Sequence, residues 1–296
     1  MFPFPLKPEE SRRCYIPASK SFAKVTSERK LAAGLKETPY LSSPAHLSTK
    51  VGSPDRHLPG ESAKNTRMEF SIIVPVLNEA KLIRPFLAHL RERAPEAEII
   101  VADGGSCDGT ADLERGPCDR IVVTQRNRAI QMNAGARAAH GDILWFVHVD
   151  AEVPWGCLDE IERITDDPKV AGGFFRIRLP RNSIYRMTDG FAHYAGIVLR
   201  MRCGDHGLFC RRTAFMDVGG FPEVPLMEDV EFFRRLQHCG RVTYSHKRIL
   251  VSPRRYERVG RVRLTLAYGL IAMLYIFGVP LSKLASLYRR ICCEAV

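Results

Sequence analysis

Between Leu144 and Pro154 the chain reads LWFVHVDAEVP. Four apolar residues suit a buried strand, and His148, Asp150 and Glu152 follow at once. An ionised carboxylate buried without a partner costs several kcal/mol, so a strand that ends this way aims its charges at a ligand. Two other stretches share the form. SIIVPVLNE runs from apolar residues into Asn78 and Glu79, and EIIVADGGSCDGT runs into Asp103 and Asp108. Asn78 also has the chemistry of a helix cap, and DGGSCDGT that of a plain turn. Carboxylates gathered at one edge repel one another unless a cation joins them. A divalent ion, Mn2+ or Mg2+, that also takes phosphate oxygens is the economical solution. Asp150 is then its first ligand, and His148 either assists or only packs beside it.

For these residues to meet, their apolar runs must be neighbouring strands with their carboxyl ends on one side. The pattern provides this. Strands are expected over 69–76, 97–103, 119–125 and 142–149, with helices over 78–94 and 128–140. Continuous apolar strands alternating with helices predict a parallel α/β sheet covered on both faces, and such sheets bind ligands beyond the carboxyl ends of their strands. Further on, 172–179 and 241–246 read as strands, and 183–200 and 227–240 as helices. No GxGxxG opens the first helix, which argues against a dinucleotide-binding dehydrogenase.

Outside this core the chain changes character. Residues 1–67 are rich in Pro, Ser, Lys and Arg and carry no apolar period, so they are expected to stay disordered. Met68 stands directly before the first strand, which makes it a candidate start of translation. Leu264 to Ser282 hold no charge and are flanked by Arg258, Arg261 and Arg263 on one side and Lys283, Arg289 and Arg290 on the other. That run is borderline for a bilayer span; a membrane-surface helix and a buried helix are the other readings. The expected organisation is therefore a tail (1–67), a catalytic domain (68–257) and an apolar, basic helical extension (258–296).

The 296 residues carry a formal net charge of +11, which suits polyanionic partners such as nucleotide phosphates or an anionic membrane. Nucleic acid is not expected, because no helix-turn-helix or zinc pattern accompanies the charge. The nine cysteines include no CxxC pair. They point to a reducing compartment, the cytoplasm, with a peripheral place on the inner face of a membrane left open.

SIIVPVLNE, VADGGSCDGT, NRAIQMNAGA, the strand ending HVD, and GGFPEVPLMEDVEFFRRL together resemble family 2 glycosyltransferases of the GT-A fold. The resemblance spans about residues 70 to 290. It is strongest to the short bacterial branch found beside radical-SAM and selenium-related genes, whose members continue with an SPRRYE-like segment and an apolar C-terminal helix. It implies transfer of a sugar from a nucleotide diphosphate donor, most often a uridine one, to a hydroxyl acceptor, with inversion. Pro75, Leu77 and Glu79 would border the nucleotide, with Asp108 in the adjoining loop. Asp103 would accept from the base, and Arg128 would face base or phosphate. Asp150 matches the last acid of the family's DxD metal motif, whose first acid is replaced by His148. Asp229 stands where the family keeps its general base, beside Glu228. Asp205 and His206 would lie on the acceptor side, and a lipid-linked acceptor would match the C-terminal segment. A nucleotidyltransferase is the rival enzyme, but PVLNEAKL is not its Gly- and Lys-rich phosphate loop. A non-catalytic peripheral protein that binds anionic lipid is the rival without chemistry.

Overall fold

The structure, a computed structural model, describes residues 68–112, 117–179 and 206–293. The expected tail, the expected helix over 183–200 and Asp205 lie outside the described residues. The elements run β1 (Phe70–Val76), α1 (Ala80–Arg93), β2 (Glu98–Asp103), β3 (Arg120–Val123), α2 (Arg128–Ala138), β4 (Ile143–Phe146), β5 (Ala151–Glu152), α3 (Cys157–Thr165), β6 (Val170–Arg178), β7 (Phe209–Arg211), α4 (Arg212–Asp217), α5 (Glu228–Leu236), β8 (Arg241–Val251), α6 (Arg254–Val259), α7 (Arg261–Ile276) and α8 (Leu281–Cys293).

The strands form one sheet in the order β3-β2-β1-β4-β7-β6-β8-β5. β1 pairs in parallel with β2 on one side and β4 on the other, and β3 continues in parallel beyond β2. β7 then pairs antiparallel with both β4 and β6, while β8 lies parallel to β6. All seven residues of β1 are buried, and they alternate between two cores as the two-residue strand period requires. Phe70, Ile72, Val74 and Val76 join α1 and α3 on one face. Ile73 joins α2, α4 and α5 on the other. The α/β expectation holds, with six of the eight strands running the same way.

Pro75 sits inside this central strand without costing a ladder bond. Val147 donates to Ile73 O at 3.0 Å, so alternate residues of β1 face β4. Two residues further on, Pro75 faces that side where β4 has already ended at Phe146. A missing N–H is tolerated where the neighbouring strand has left.

Several boundaries differ from the sequence reading, three of them for a clear physical reason. β4 stops at Phe146, because its next residues turn: Ala151 donates to His148 O at 3.0 Å. β8 runs on to Val251 because it gains partners in β6 and β5. The uncharged run 264–282 is not one helix. Gly278 at φ 77° and Pro280 separate α7 from α8, as glycine in the left-handed region followed by proline commonly does. No described helix is long and apolar enough to cross a membrane.

Candidate active site

The carboxyl ends of β1, β2 and β4 carry the site, and two loops are laced together to build it. Asn78 N donates to Ser106 Oγ at 2.8 Å, and Cys107 N donates to Asn78 Oδ1 at 3.0 Å. Glu79 N donates to Thr110 Oγ1 at 2.8 Å and Ala80 N to Asp108 Oδ2 at 3.0 Å. The N-terminus of α1 has no side-chain cap of its own; the loop after β2 supplies one. Asn78 therefore does not cap the helix. It takes φ 54°, a conformation asparagine tolerates, and reaches across to the second loop. Asp108 belongs to this lacing: burial raises its pKa, and bonds from Thr110 and from the Ala80 N–H outweigh that and lower it.

Asp103 is buried at the end of β2. Its carboxylate accepts from Gly105 N and Ser106 N, each at 2.9 Å, and from the Ser106 hydroxyl. It holds the turn shut, and it is not among the residues lining the cavity.

Helix α2 supplies the floor. Asn127 caps it, accepting from Ile130 N at 3.1 Å. Gln131, buried, donates through Nε2 to Val76 O at 2.6 Å and Ala102 O at 2.9 Å, which ties the ends of β1 and β2 together. Gly104 leaves room for that amide, since a Cβ there would lie 3.0 Å from it. Asn133 pairs with the backbone of Phe221 in both directions at 2.8 Å, and so fixes the GGFPEVP loop that leads to α5. Reading sequence for ionisable groups passes over Gln131 and Asn133. Their signal was present: three amides, at 127, 131 and 133, in a helix otherwise built largely of small residues.

These parts enclose a cavity of about 1060 Å³. Pro75, Leu77, Glu79, Arg128, His148, Asp150 and Glu228 all line it, as the sequence reading required of a shared site. Arg126, Arg254, Arg255, Arg258 and Arg289 line it too, so six arginines face three acids. The far C-terminal segments thus reach back to the start of the sheet. Arg254 forks onto Glu79 with contacts of 2.9 and 3.0 Å, and the same guanidinium lies 3.6 Å from Asp150. The bonds from Glu79 raise the pKa of Arg254 further.

The likeness to known proteins can be placed on this geometry. The family model for glycosyl transferase family 2 matches residues 71–221. That range runs from β1 through the cavity floor to the loop held by Asn133, about half of the chain. The chain belongs to glycosyl transferase family 2. The succinoglycan biosynthesis protein ExoA of Rhizobium meliloti is 28% identical over 194 residues, 57% of this chain and 58% of that protein. Protein MT1568 of Mycobacterium tuberculosis is 26% identical over 196 residues, 56% of this chain and 61% of that one. The chain thus spans about three fifths of the length of these relatives. A solved mannosyltransferase, PcManGT of Pyrobaculum calidifontis in complex with GDP-Man and Mn2+, superposes with a TM-score of 0.55 at 19% identity, over 78% of this chain and 74% of that one. This likeness supports the GT-A fold expected from the motifs.

Of the expected site residues, Asp103, Asp108, His206 and Asp229 do not line the cavity of this family 2 domain. His206 is buried with its ring edge-on to Phe174, centroids 6.1 Å apart. It packs in the interior, and Asp205 beside it lies outside the described residues. His148 lines the cavity, but its ring nitrogens lie 2.9 Å from Nη2 of Arg128. A guanidinium that close suits a hydrogen-bond partner and opposes a metal at the same nitrogen. Asp229 is not among the lining residues; its Oδ1 accepts from Val230 N at 2.7 Å.

Proposed function

We propose that this chain transfers a sugar from a nucleoside diphosphate donor to a hydroxyl acceptor, with inversion. One observation carries the reading: a cavity large enough for a nucleotide sugar opens where β1 pairs with β2 on one side and β4 on the other. That is the switch point at which open α/β sheets bind nucleotides, and here six arginines line it. The diphosphate gains charge as the glycosidic bond breaks. Arg128, at the first turn of α2, and Arg254, beside Glu79 and Asp150, are placed to stabilise it. Glu79 holds the Arg254 fork in position.

The residues present offer a cation few ligands. Among the described residues no group of three or more His, Cys, Asp and Glu could hold a metal. Asp150 alone fits: a partly exposed carboxylate at the cavity wall is enough for Mg2+ or Mn2+ when phosphate oxygens fill other positions. His148 lies with its ring nitrogens 2.9 Å from Nη2 of Arg128, which makes Asp150 the stronger candidate. A bound divalent ion would add Lewis-acid stabilisation of the leaving diphosphate.

The acceptor hydroxyl needs a base. Asp229 takes its proton and Glu228, on the cavity wall, orients it. The Asp229 contact with Val230 N does not argue against this, since catalytic hydrogen bonds often align only in the bound complex. Direct attack opposite the leaving group inverts the anomeric carbon. Uridine is the expected nucleoside. The SPRRYE segment and the apolar helix α7 support the short bacterial branch named above.

A thermal-shift panel of UDP, GDP and UMP, with and without Mn2+, tests the reading. A ligand present at about a hundred times its dissociation constant stabilises the native state by about 2.7 kcal/mol. A rise with a nucleoside diphosphate, enlarged by Mn2+ in the wild type and not in Asp150→Ala, is expected. No rise with any diphosphate would sink the donor assignment.

A further inference from the structure

Helix α7 is apolar around most of its circumference, yet it lies on the surface. One side, with Leu264, Ala267 and Ile271, is buried. On the other, Val262, Leu266, Leu270, Met273, Ile276 and Phe277 are between 38% and 76% exposed. At the helical period these six fall within a stripe of about 120°. Single exposed apolar residues are ordinary, but a continuous stripe marks an interaction surface.

The charges carried by α7 and α8 themselves have one sign. From Arg258 to Cys293 the sequence holds Arg258, Arg261, Arg263, Lys283, Arg289 and Arg290 and no acid. Lys283 and Arg290, with Ser282 and Ser286, line an open groove of about 330 Å³ along α8. Two cations and the Ser282 hydroxyl are donors that a phosphate headgroup takes, while Ser286 Oγ already donates to Ser282 O at 2.9 Å. A second copy of the chain suits this face poorly, because a two-fold contact would set the same cations against themselves with no acid to meet.

We propose that α7 and α8 dock on an anionic lipid surface, with the stripe buried at the interface and Arg261, Arg263, Lys283 and Arg290 on the headgroups. Docking is peripheral, as no described helix is long and apolar enough to span. The same helix walls the cavity through Tyr268, so docking sets the cavity beside the membrane. The inference goes beyond the proposed glycosyl transfer and stands or falls apart from it.

Flotation of the full chain with vesicles of phosphatidylcholine alone, or mixed with phosphatidylglycerol, tests it. Binding is expected only to the mixed vesicles, and salt should weaken it. Leu266→Glu combined with Phe277→Glu should lower partitioning about tenfold or more, with the melting temperature and diphosphate binding unchanged. Absent binding, equal binding to both vesicle types, or full binding by the double variant would overturn the proposal. So would a dimer in solution that the double variant splits. Loss of diphosphate response with docking intact would instead strike the catalytic reading alone.

Discussion

Met227 holds φ 64° without being glycine, a conformation that costs roughly 1–2 kcal/mol. It does so directly before Glu228 and Asp229, where α5 begins. The strained residue sets the first turn of α5 against the cavity, and Glu228 lines the wall. If Asp229 is the base, Asp229→Asn should lower kcat by about a hundred- to ten-thousand-fold and leave donor affinity, read by calorimetry, nearly unchanged. Glu228→Gln should cost less. The reverse order would swap the two roles, and near-full turnover in both would remove the pair from the chemistry. At this scale the sequence was most legible where charge follows an apolar run. Glu79, Asp150 and Glu228 reached one cavity because the strand and helix ends that carry them could be read from period and composition. Asp103 was less legible. A carboxylate at a strand end can face a ligand or bond its own loop, and GGS offers two backbone N–H groups and a hydroxyl within reach. Gln131 was passed over because a neutral amide, though one of three on this helix, shows its role only when the fold brings two carbonyl groups to it.

The elements of the first half were readable because each strand is apolar throughout and each helix follows within a few residues. The second half was harder, since its strands pair with partners distant in sequence. β8 is only part-buried along most of its length, and its extent depends on β6 and β5. Its junction with α3 shows what holds such a strand. Glu160 accepts from Ser245 Oγ at 2.9 Å and His246 N at 3.0 Å, and pairs with Arg163 at 3.0 and 3.1 Å. The Arg163 bonds first, then those from β8 against an opposing burial effect, lower the Glu160 pKa from 4.5 to about 2. A carboxyl depressed on folding contributes stability that is present above its unfolded pKa and lost as pH falls toward the folded one. Stability should therefore drop between about pH 4.5 and pH 2. Glu160→Gln should remove about 2 kcal/mol at neutral pH and flatten that part of the profile. Urea melts across the range would measure both. An unchanged acid limb in the variant would place the acid sensitivity elsewhere.

Taken whole, the described fold begins with its own first strand. Phe70 is buried in the core, and Met68 packs against the same cluster. Thr165 Oγ1 donates to the Met68 sulfur at 3.6 Å, and Glu69 N donates to Asp142 Oδ2 at 3.2 Å. These contacts make Met68 the natural edge of the sheet domain. Residues 1–67, rich in Pro, Ser, Lys and Arg, have no apolar pattern from which to add a core. A chain starting at Met68 should thus melt within about 2 °C of the full chain, less than the shift expected from 1 kcal/mol in a domain of this size. It should also show the same response to nucleoside diphosphates, because every lining residue of the cavity lies beyond Met68. Calorimetry on the two chains decides the point. A fall of several degrees would mean that the first 67 residues pack on the domain, and a lost diphosphate response with unchanged melting would mean that they act at the site.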